Sequence, residues 1–198
     1  MGNGMFWQRF FQNCKILEKL AALLRKNYVN MQRREGIEAS AANTKKKPFE
    51  ERRRHMEPYL HKVQYYETDK MGIAHHSNYI RWMEEARVDF LEKIGWGFDR
   101  LEAEGIVSPV VGVHGRYKKS CTFADVLEIT VKVQKYNGMM MHLAYEMKLA
   151  GSEQVLFTGV SEHCFLDQTG KPLRLKQKWQ ELDEILKNCA AEYEAEKA

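Results

Sequence analysis

The sequence predicts an α+β fold in which a curled antiparallel sheet surrounds one long helix. Two observations support this prediction. One stripe of apolar residues at helical spacing occupies Tyr79–Ile94, and segments of alternating apolar and polar residues fill most of the chain after it. The composition agrees with a single globular domain, since 44% of the 198 residues are hydrophobic and 29% are charged.

The first elements are a short strand, a tight turn and the long helix. The strand is expected in the segment HKVQYY, from His61 to Tyr66, and the turn in ETDKMG. The helix is expected over Asn78–Ile94, where apolar side chains recur on one face: Tyr79, Met83, Ala86, Phe90 and Ile94. Asp89 and Lys93 have the spacing of an ion pair along the other face. Gly95 is expected to end the helix.

The remaining elements follow from alternation and turn signals. They are a short helix over Phe98–Glu104, strands over Ile106–Tyr117, Val126–Tyr136, Met139–Leu149 and Val155–Leu166, and a helix over Trp179–Leu186. The dipeptide Asn137-Gly138 predicts a hairpin turn with positive φ at both positions. One strand, one long helix and an antiparallel meander together predict the hotdog fold. Its exposed sheet edge predicts pairing with a second copy, as a homodimer or homotetramer.

The net charge of +4 is unevenly distributed. Residues 1–57 carry 13 Lys+Arg against 6 Asp+Glu, whereas the other 141 residues carry 18 against 21. The basic character therefore belongs to an N-terminal extension, and no nucleic-acid binding is expected of the folded part. Residues 5–30 of the extension form a basic, aromatic, amphipathic segment suited to weak contact with a membrane surface. The expected division is an extension over 1–57, a domain over 58–186 and a frayed tail over 187–198.

The cysteines and the hydropathy indicate a cytoplasmic location. Four cysteines are widely spaced without a CxxC pair, which favours free thiols in a reducing compartment. No apolar run approaches the roughly 18 residues that a membrane span needs. His75 and His76 are adjacent, but no third ligand has suitable spacing, so no metal is expected.

The segment from Tyr65 to Tyr79, YYETDKMGIAHHSNY, carries the candidate chemistry. Asp69 lies in the predicted turn, and Gly72 permits an unusual backbone approach. The helix that follows directs free N–H groups back toward the turn, where they would form an oxyanion hole for a thioester carbonyl. A carboxylate opposite would orient or deprotonate water, or attack the carbonyl itself. Thioesters are activated acyl donors, so neither a Ser-His-Asp triad nor a cofactor is required.

The longer segment YYETDKMGIAHHSNYIRWMEEAR resembles the signature of the 4-hydroxybenzoyl-CoA thioesterase family, most closely the small bacterial acyl-CoA thioesterases associated with the Tol–Pal system. The resemblance covers about Tyr59 to Leu186. It implies an acyl-CoA thioesterase in which Asp69 is the catalytic aspartate. It further implies that His76 lies near the thioester beside the backbone oxyanion donor, and that Tyr65 matches a tyrosine of that branch.

Two departures from the family pattern stand within the motif. Met71-Gly72 replaces a frequent Gly-Gly pair, which implies a differently shaped acyl pocket, and His75 stands where many relatives carry an aromatic residue. Farther along the chain, three basic residues at the end of a strand are candidates for binding the phosphates of CoA: Arg116, Lys118 and Lys119.

Structural roles for these residues are alternatives. Asp69 would then be a turn residue, Tyr65 a core residue of its strand, and the basic cluster a solvated strand end. The functional alternatives are hydrolysis of acyl groups from acyl carrier protein and a non-catalytic acyl-CoA-binding partner of an envelope complex. The hydratase branch of hotdog proteins uses a D-x-N-x-x-H arrangement that is absent from this sequence.

Overall fold

The computed structural model describes residues 56–197. The predictions for residues 1–55, including the amphipathic segment over 5–30, lie outside this part of the chain. The elements in order are β1 (Tyr59–Lys62), a 3₁₀ turn (Tyr65–Glu67), α1 (His76–Lys93), α2 (Phe98–Ala103), β2 (Val110–Tyr117), β3 (Val126–Tyr136), β4 (Met140–Leu149), β5 (Val155–Cys164), a second 3₁₀ turn (Leu175–Gln177) and α3 (Gln180–Ala195).

The five strands form one antiparallel sheet in the order β1-β3-β4-β5-β2. Alternate residues of β3 and β4 are buried with α1 in a single core, which includes Leu127, Ile129, Leu143 and Met147. The predicted α+β hotdog fold, a curled sheet around one long helix, is confirmed by this arrangement.

The apolar stripe of α1 is the face that joins the core. All five predicted stripe residues are at most 4% exposed, and burial of a large apolar side chain contributes roughly 1.5–3 kcal/mol. Asp89 and Lys93 form the predicted ion pair, with 2.5 Å between Oδ2 and Nζ. Gly95 follows the helix with a φ of 84°, the left-handed conformation expected of a residue at this position.

The end of β1 and the turn between β3 and β4 differ from the sequence predictions. β1 ends at Lys62, so Tyr65 and Tyr66 belong to a 3₁₀ turn and not to the strand. At the hairpin between β3 and β4 only Gly138 has a positive φ, because the Asn137 side chain closes the turn by accepting the N–H groups of Met139 and Met140.

The C-terminal helix is longer than predicted. α3 continues past the expected end at Leu186 to Ala195, and contacts with β3 hold its last turns. The Gln134 amide donates to the Tyr193 hydroxyl at 3.3 Å, and Lys132 pairs with Glu196. Among residues 56–197, no helix has both the length and the apolarity of a membrane span.

One edge of the sheet exposes apolar side chains. Among the strands of residues 56–197, β2 pairs only with β5, and its three valines, Val110, Val111 and Val113, are 42–54% exposed. The outer side of this strand therefore combines unpaired backbone groups with apolar surface.

Candidate active site

The turn that carries Asp69 is closed by three hydrogen bonds, two between backbone groups and one to the Asp69 side chain. The Asp69 N–H donates to the carbonyl of Ile73, and the Gly72 N–H donates to the carbonyl of Asp69, each at 2.9 Å. The Met71 N–H donates to Asp69 Oδ1 at 2.8 Å. Gly72 has a φ of 75°, which only glycine adopts at little cost. Within residues 56–197 the second carboxylate oxygen, Oδ2, accepts no hydrogen bond, so it is available to a substrate or a water molecule.

The return arm of the turn leads directly into α1. Thr68 pairs with Ala74, and Ile73 pairs with Thr122 on the loop after β2. The Ala74 N–H donates to the carbonyl of Cys121 at 2.8 Å. These contacts hold the turn against a second loop and place the half-buried Asp69 a few residues before the start of the helix.

The first turn of α1 offers an unpaired donor. His75 is the N-cap, and its Nδ1 accepts the N–H of Ser77 at 3.4 Å, while its carbonyl accepts the N–H of Asn78 at 3.0 Å. The N–H of His76 has no acceptor among residues 56–197. An N–H at a helix N-terminus carries the positive end of the helix dipole, so this group can polarise a carbonyl oxygen.

The side chain of His76 lies at the surface beside this donor. Its ring stacks on that of His75, with 4.1 Å between the ring centroids. The described residues contain no group of three or more His, Cys, Asp or Glu side chains that could hold a metal ion.

Tyr117 connects the start of α1 to the end of β2. Its hydroxyl donates to the carbonyl of His76 at 2.9 Å. Arg116, Lys118 and Lys119 flank this tyrosine, and all three are exposed. The predicted phosphate-binding residues therefore lie at the same end of the sheet as the helix N-terminus. The sequence analysis did not identify Tyr117, whose signal is an aromatic residue within the basic run RYKK.

The side chain of Tyr65 lies at the surface. It is 77% exposed, and its ring packs edge-on against Phe123, with 5.7 Å between centroids. Among the described contacts, none joins the Tyr65 side chain to Asp69 or His76.

A buried pair lies beneath the site. The Tyr79 hydroxyl and the Cys121 thiol are 3.3 Å apart, and both residues are at most 2% exposed. Burial raises the pKa of the Cys121 thiol and raises the pKa of Tyr79 well above its usual value. Both groups are therefore protonated at neutral pH, and Cys121 is a poor candidate for a nucleophile. Asp69 is left as the solvent-accessible carboxylate in the turn before the helix start.

Comparison with known proteins places these features in a family context. The model of the thioesterase-like superfamily matches residues 63–188, which contain the turn, α1 and the sheet from β2 to β5. The structure of a DHNA-CoA thioesterase from Staphylococcus aureus aligns with a TM-score of 0.64 and 31% identity, covering 68% of this chain and 91% of that one.

Two relatives are similar in sequence over most of their own length. YneP of Bacillus subtilis, whose name carries a provisional assignment as an acyl-CoA thioesterase, is 30% identical over 115 residues, or 58% of this chain and 83% of YneP. The long-chain acyl-CoA thioesterase FadM of Escherichia coli is 29% identical over 128 residues, or 64% of this chain and 96% of FadM.

Proposed function

We propose that this chain, which belongs to the thioesterase-like superfamily and is a thioester hydrolase, cleaves acyl-CoA to a free acid and CoA through the carboxylate of Asp69. One observation carries the assignment of the site. Among the described residues, neither Oδ2 of Asp69, in the turn before α1, nor the N–H of His76, the first of that helix, has a hydrogen-bond partner. This pairing supplies a base or nucleophile and an oxyanion donor.

The chemistry follows from those two groups. The thioester carbonyl oxygen accepts the N–H of His76, and water attacks the carbonyl carbon as Asp69 takes one of its protons. The tetrahedral intermediate then expels the CoA thiolate, and the proton held by Asp69 passes to that leaving group. If Asp69 attacks directly, the C–S bond breaks and the CoA thiolate leaves as a mixed anhydride forms; water then hydrolyses the anhydride to the free acid and the Asp69 carboxylate, and its proton passes to the thiolate. After a single turnover in H₂¹⁸O, label in the Asp69 carboxylate would show direct attack with opening of the anhydride at the Asp69 carbonyl, since water that attacks the thioester itself places its oxygen only in the free acid.

The other predicted residues have supporting roles in this proposal. His76 orients the thioester from the surface beside the oxyanion donor. Tyr65 presents an exposed ring that contacts the bound substrate. Arg116, Lys118 and Lys119 bind the phosphates of CoA, which is supported by their exposure and by the Tyr117 link between their strand and α1.

The proposal also includes the family branch, the bounds of the domain and the cellular compartment. The motif around Asp69 favours the 4-hydroxybenzoyl-CoA thioesterase family and its Tol–Pal-associated branch. Residues 58–186 form the thioesterase domain, and α3 carries it to Ala195. The enzyme acts in the cytoplasm, which agrees with the free thiols of Cys121 and Cys164.

Self-association is proposed on the exposed edge of the sheet. The apolar side chains of β2 at Val110, Val111 and Val113 would be covered by a second copy in a homodimer or homotetramer. Sedimentation of the full chain at several concentrations tests this part, and a monomer at all of them would contradict it.

The activity is tested by thiol release from a panel of acyl-CoAs that spans saturated chains of increasing length and one aromatic acyl group. Wild type should hydrolyse at least one member, and Asp69→Asn should lose that activity. A second assay offers the same acyl group on acyl carrier protein. Faster hydrolysis of the thioester on acyl carrier protein than of acyl-CoA would contradict the assignment of CoA as the acyl carrier.

A further inference from the structure

Two residues before Asp69, Glu67 is a buried carboxylate that directly follows two exposed tyrosines in the loop. It is 5% exposed, whereas the preceding Tyr66 is 81% exposed. A buried glutamate is costly unless its oxygens are hydrogen bonded. Its contacts therefore indicate what this residue does for the loop.

The Glu67 side chain accepts three hydrogen bonds from three segments. Oε2 accepts the backbone N–H of Gln64 at 2.7 Å and lies 3.0 Å from His61 Nε2 on β1. Oε1 accepts the indole N–H of Trp82 on α1 at 2.8 Å. We call Glu67 and these three donors, Gln64, His61 and Trp82, the Glu67 cluster.

The backbone of Glu67 binds the start of the same helix. Its carbonyl accepts the N–H of His75 at 2.8 Å and the side-chain amide of Asn78 at 2.7 Å. A single residue thus ties β1, the 3₁₀ turn, the N-cap and the second turn of α1 together. By contrast, the Asp69 side chain accepts its hydrogen bond, in the described part of the chain, from Met71 of its own turn.

The geometry points to Glu67 as a positioning residue that fixes the Asp69 turn relative to the N–H of His76. This inference rests on the proposed function and adds to it a residue that does not touch the substrate. The connection from Glu67 to Asp69 is short, since it passes only through Thr68, which pairs with Ala74 immediately before the N-cap. Displacing a catalytic group by about 1 Å reduces the rate by up to about a hundredfold.

The hydrogen-bonding capacity of a carboxylate explains why glutamine should not replace this residue. An ionised carboxylate only accepts hydrogen bonds, whereas an amide offers one accepting oxygen and one donating nitrogen. In Glu67→Gln the amide NH₂ would face either the indole N–H of Trp82 or the donors at Oε2. One of these donors would lose its acceptor, and the loop would shift to relieve the contact.

The test compares steady-state kinetics and thermal unfolding of the full chain. With the best acyl-CoA, Glu67→Gln should lower kcat by about 10- to 100-fold and change KM by less than about threefold. Trp82→Phe, which removes one donor from the Glu67 cluster and keeps an aromatic ring, should lower kcat in the same direction by a smaller factor. This second variant decides the matter if Glu67→Gln does not fold.

Two controls isolate the proposed role. Glu104→Gln changes an exposed carboxylate that accepts the indole N–H of the buried Trp179 at 3.0 Å, away from the Asp69 turn, and it should leave kcat unchanged. Glu85→Gln removes the carboxylate on the other side of His61, 3.0 Å from Nδ1, and should change kcat by less than about twofold. If Glu85→Gln matched Glu67→Gln, the charge around His61 and not the three-donor contact would control the loop, and the inference would be overturned.

Asp69→Asn is measured in parallel to separate the two proposals. Loss of turnover in Asp69→Asn together with wild-type kcat in Glu67→Gln and Trp82→Phe would overturn the positioning role and leave the proposed function intact. Full turnover in Asp69→Asn would overturn the proposed mechanism, and the role of Glu67 with it.

Discussion

Asp69 and Asp167 occupy turns with the same backbone hydrogen bonds. In each, the aspartate N–H donates to the carbonyl four residues on, and a glycine with positive φ donates back to the aspartate carbonyl at 2.9 Å. In each, Oδ1 accepts the N–H two residues on at 2.8 Å. The turn alone therefore does not confer reactivity. What distinguishes Asp69 is that α1 begins a few residues later.

The two carboxylates also differ in the number of hydrogen bonds that they accept. Asp167 Oδ1 accepts two further hydrogen bonds, from the Thr169 hydroxyl and the Lys171 N–H. Within residues 56–197, the Asp69 carboxylate accepts one hydrogen bond, from the N–H of Met71. Asp69 thus keeps more of its accepting capacity for a substrate, and Asp167 provides a matched control within the same chain.

The glycines of these turns give the first prediction. Gly72 has a φ of 75° and Gly170 a φ of 84°, and a Cβ at either position would meet no atom within 4 Å. Alanine at each site should therefore cost about 1–2 kcal/mol of unfolding free energy through backbone strain alone. Only Gly72→Ala should also lower kcat, by about tenfold, because only its turn carries the catalytic carboxylate. Equal kcat in the two variants would contradict the assignment.

The contact between Tyr117 and His76 gives the second prediction. Tyr117→Phe removes the hydroxyl that ties β2 to the start of α1, and should cost about 0.5–1.5 kcal/mol of stability and several-fold in kcat/KM. Tyr136→Phe removes a hydroxyl that donates to Asp183 of α3 at 2.8 Å. The Tyr136 variant should lose stability and keep its activity. An activity loss common to both variants would show a general effect of destabilisation.

The basic strand end gives the third prediction. Lys118→Gln/Lys119→Gln should raise KM for acyl-CoA several-fold with little change in kcat, because surface charges here bind phosphate without touching the thioester. The same acyl group on pantetheine lacks the nucleotide phosphates and should show no change. Lys176→Gln is the control, because Lys176 lies at the opposite end of the sheet. Its neighbour Leu175 donates its N–H to the carbonyl of Gly138, in the turn between β3 and β4. An equal increase in KM for acyl-pantetheine would contradict phosphate binding.

The buried His163 gives a fourth prediction, on stability against pH. Its Nε2 is 2.7 Å from Ser161 Oγ, and burial, with the Arg87 charge, lowers its pKa to about 4. An imidazole that is neutral when folded takes up a proton on unfolding between about pH 4 and pH 6.5. Unfolding therefore becomes easier as the pH falls through 6.5, and this effect levels off below 4.

Urea titrations measure the contribution of His163. From pH 7 to pH 5 the wild type should lose about 2 kcal/mol more unfolding free energy than His163→Gln, which does not titrate. The subtraction cancels the carboxylates common to both proteins. Equal losses in the two proteins would show that His163 is protonated to the same extent in the folded and unfolded states.

The parts of the fold that depend on local periodicity were predictable from the sequence. The stripe on α1 and the alternation in β3 and β4 are properties of neighbouring residues, and both were confirmed. The C-terminal helix was predicted too short because its last turns are polar and depend on contacts with β3, at Gln134 and Lys132, that sequence periodicity does not reveal.

The part of the candidate site that lies within one continuous segment was predictable from the sequence. The contacts between residues that are distant in the sequence were not. Asp69, Gly72 and the helix start are within a few residues of one another, so their relationship could be read from a single motif. Tyr117 contacts a carbonyl 41 positions away, and Trp82 reaches Glu67 across 15 positions. Such contacts are set by tertiary packing, and the local sequence around either residue does not indicate which partner it contacts. Glu67 was missed for the same reason, because its burial depends on donors from two other elements.

The central claim is that the Asp69 carboxylate performs the hydrolysis of acyl-CoA. The most direct measurement compares single-turnover hydrolysis by Asp69→Asn and Asp167→Asn, which make the same chemical change in two turns with the same backbone hydrogen bonds. We predict that Asp69→Asn loses at least about a hundredfold in rate, while Asp167→Asn retains the wild-type rate. Wild-type hydrolysis by Asp69→Asn would contradict the claim.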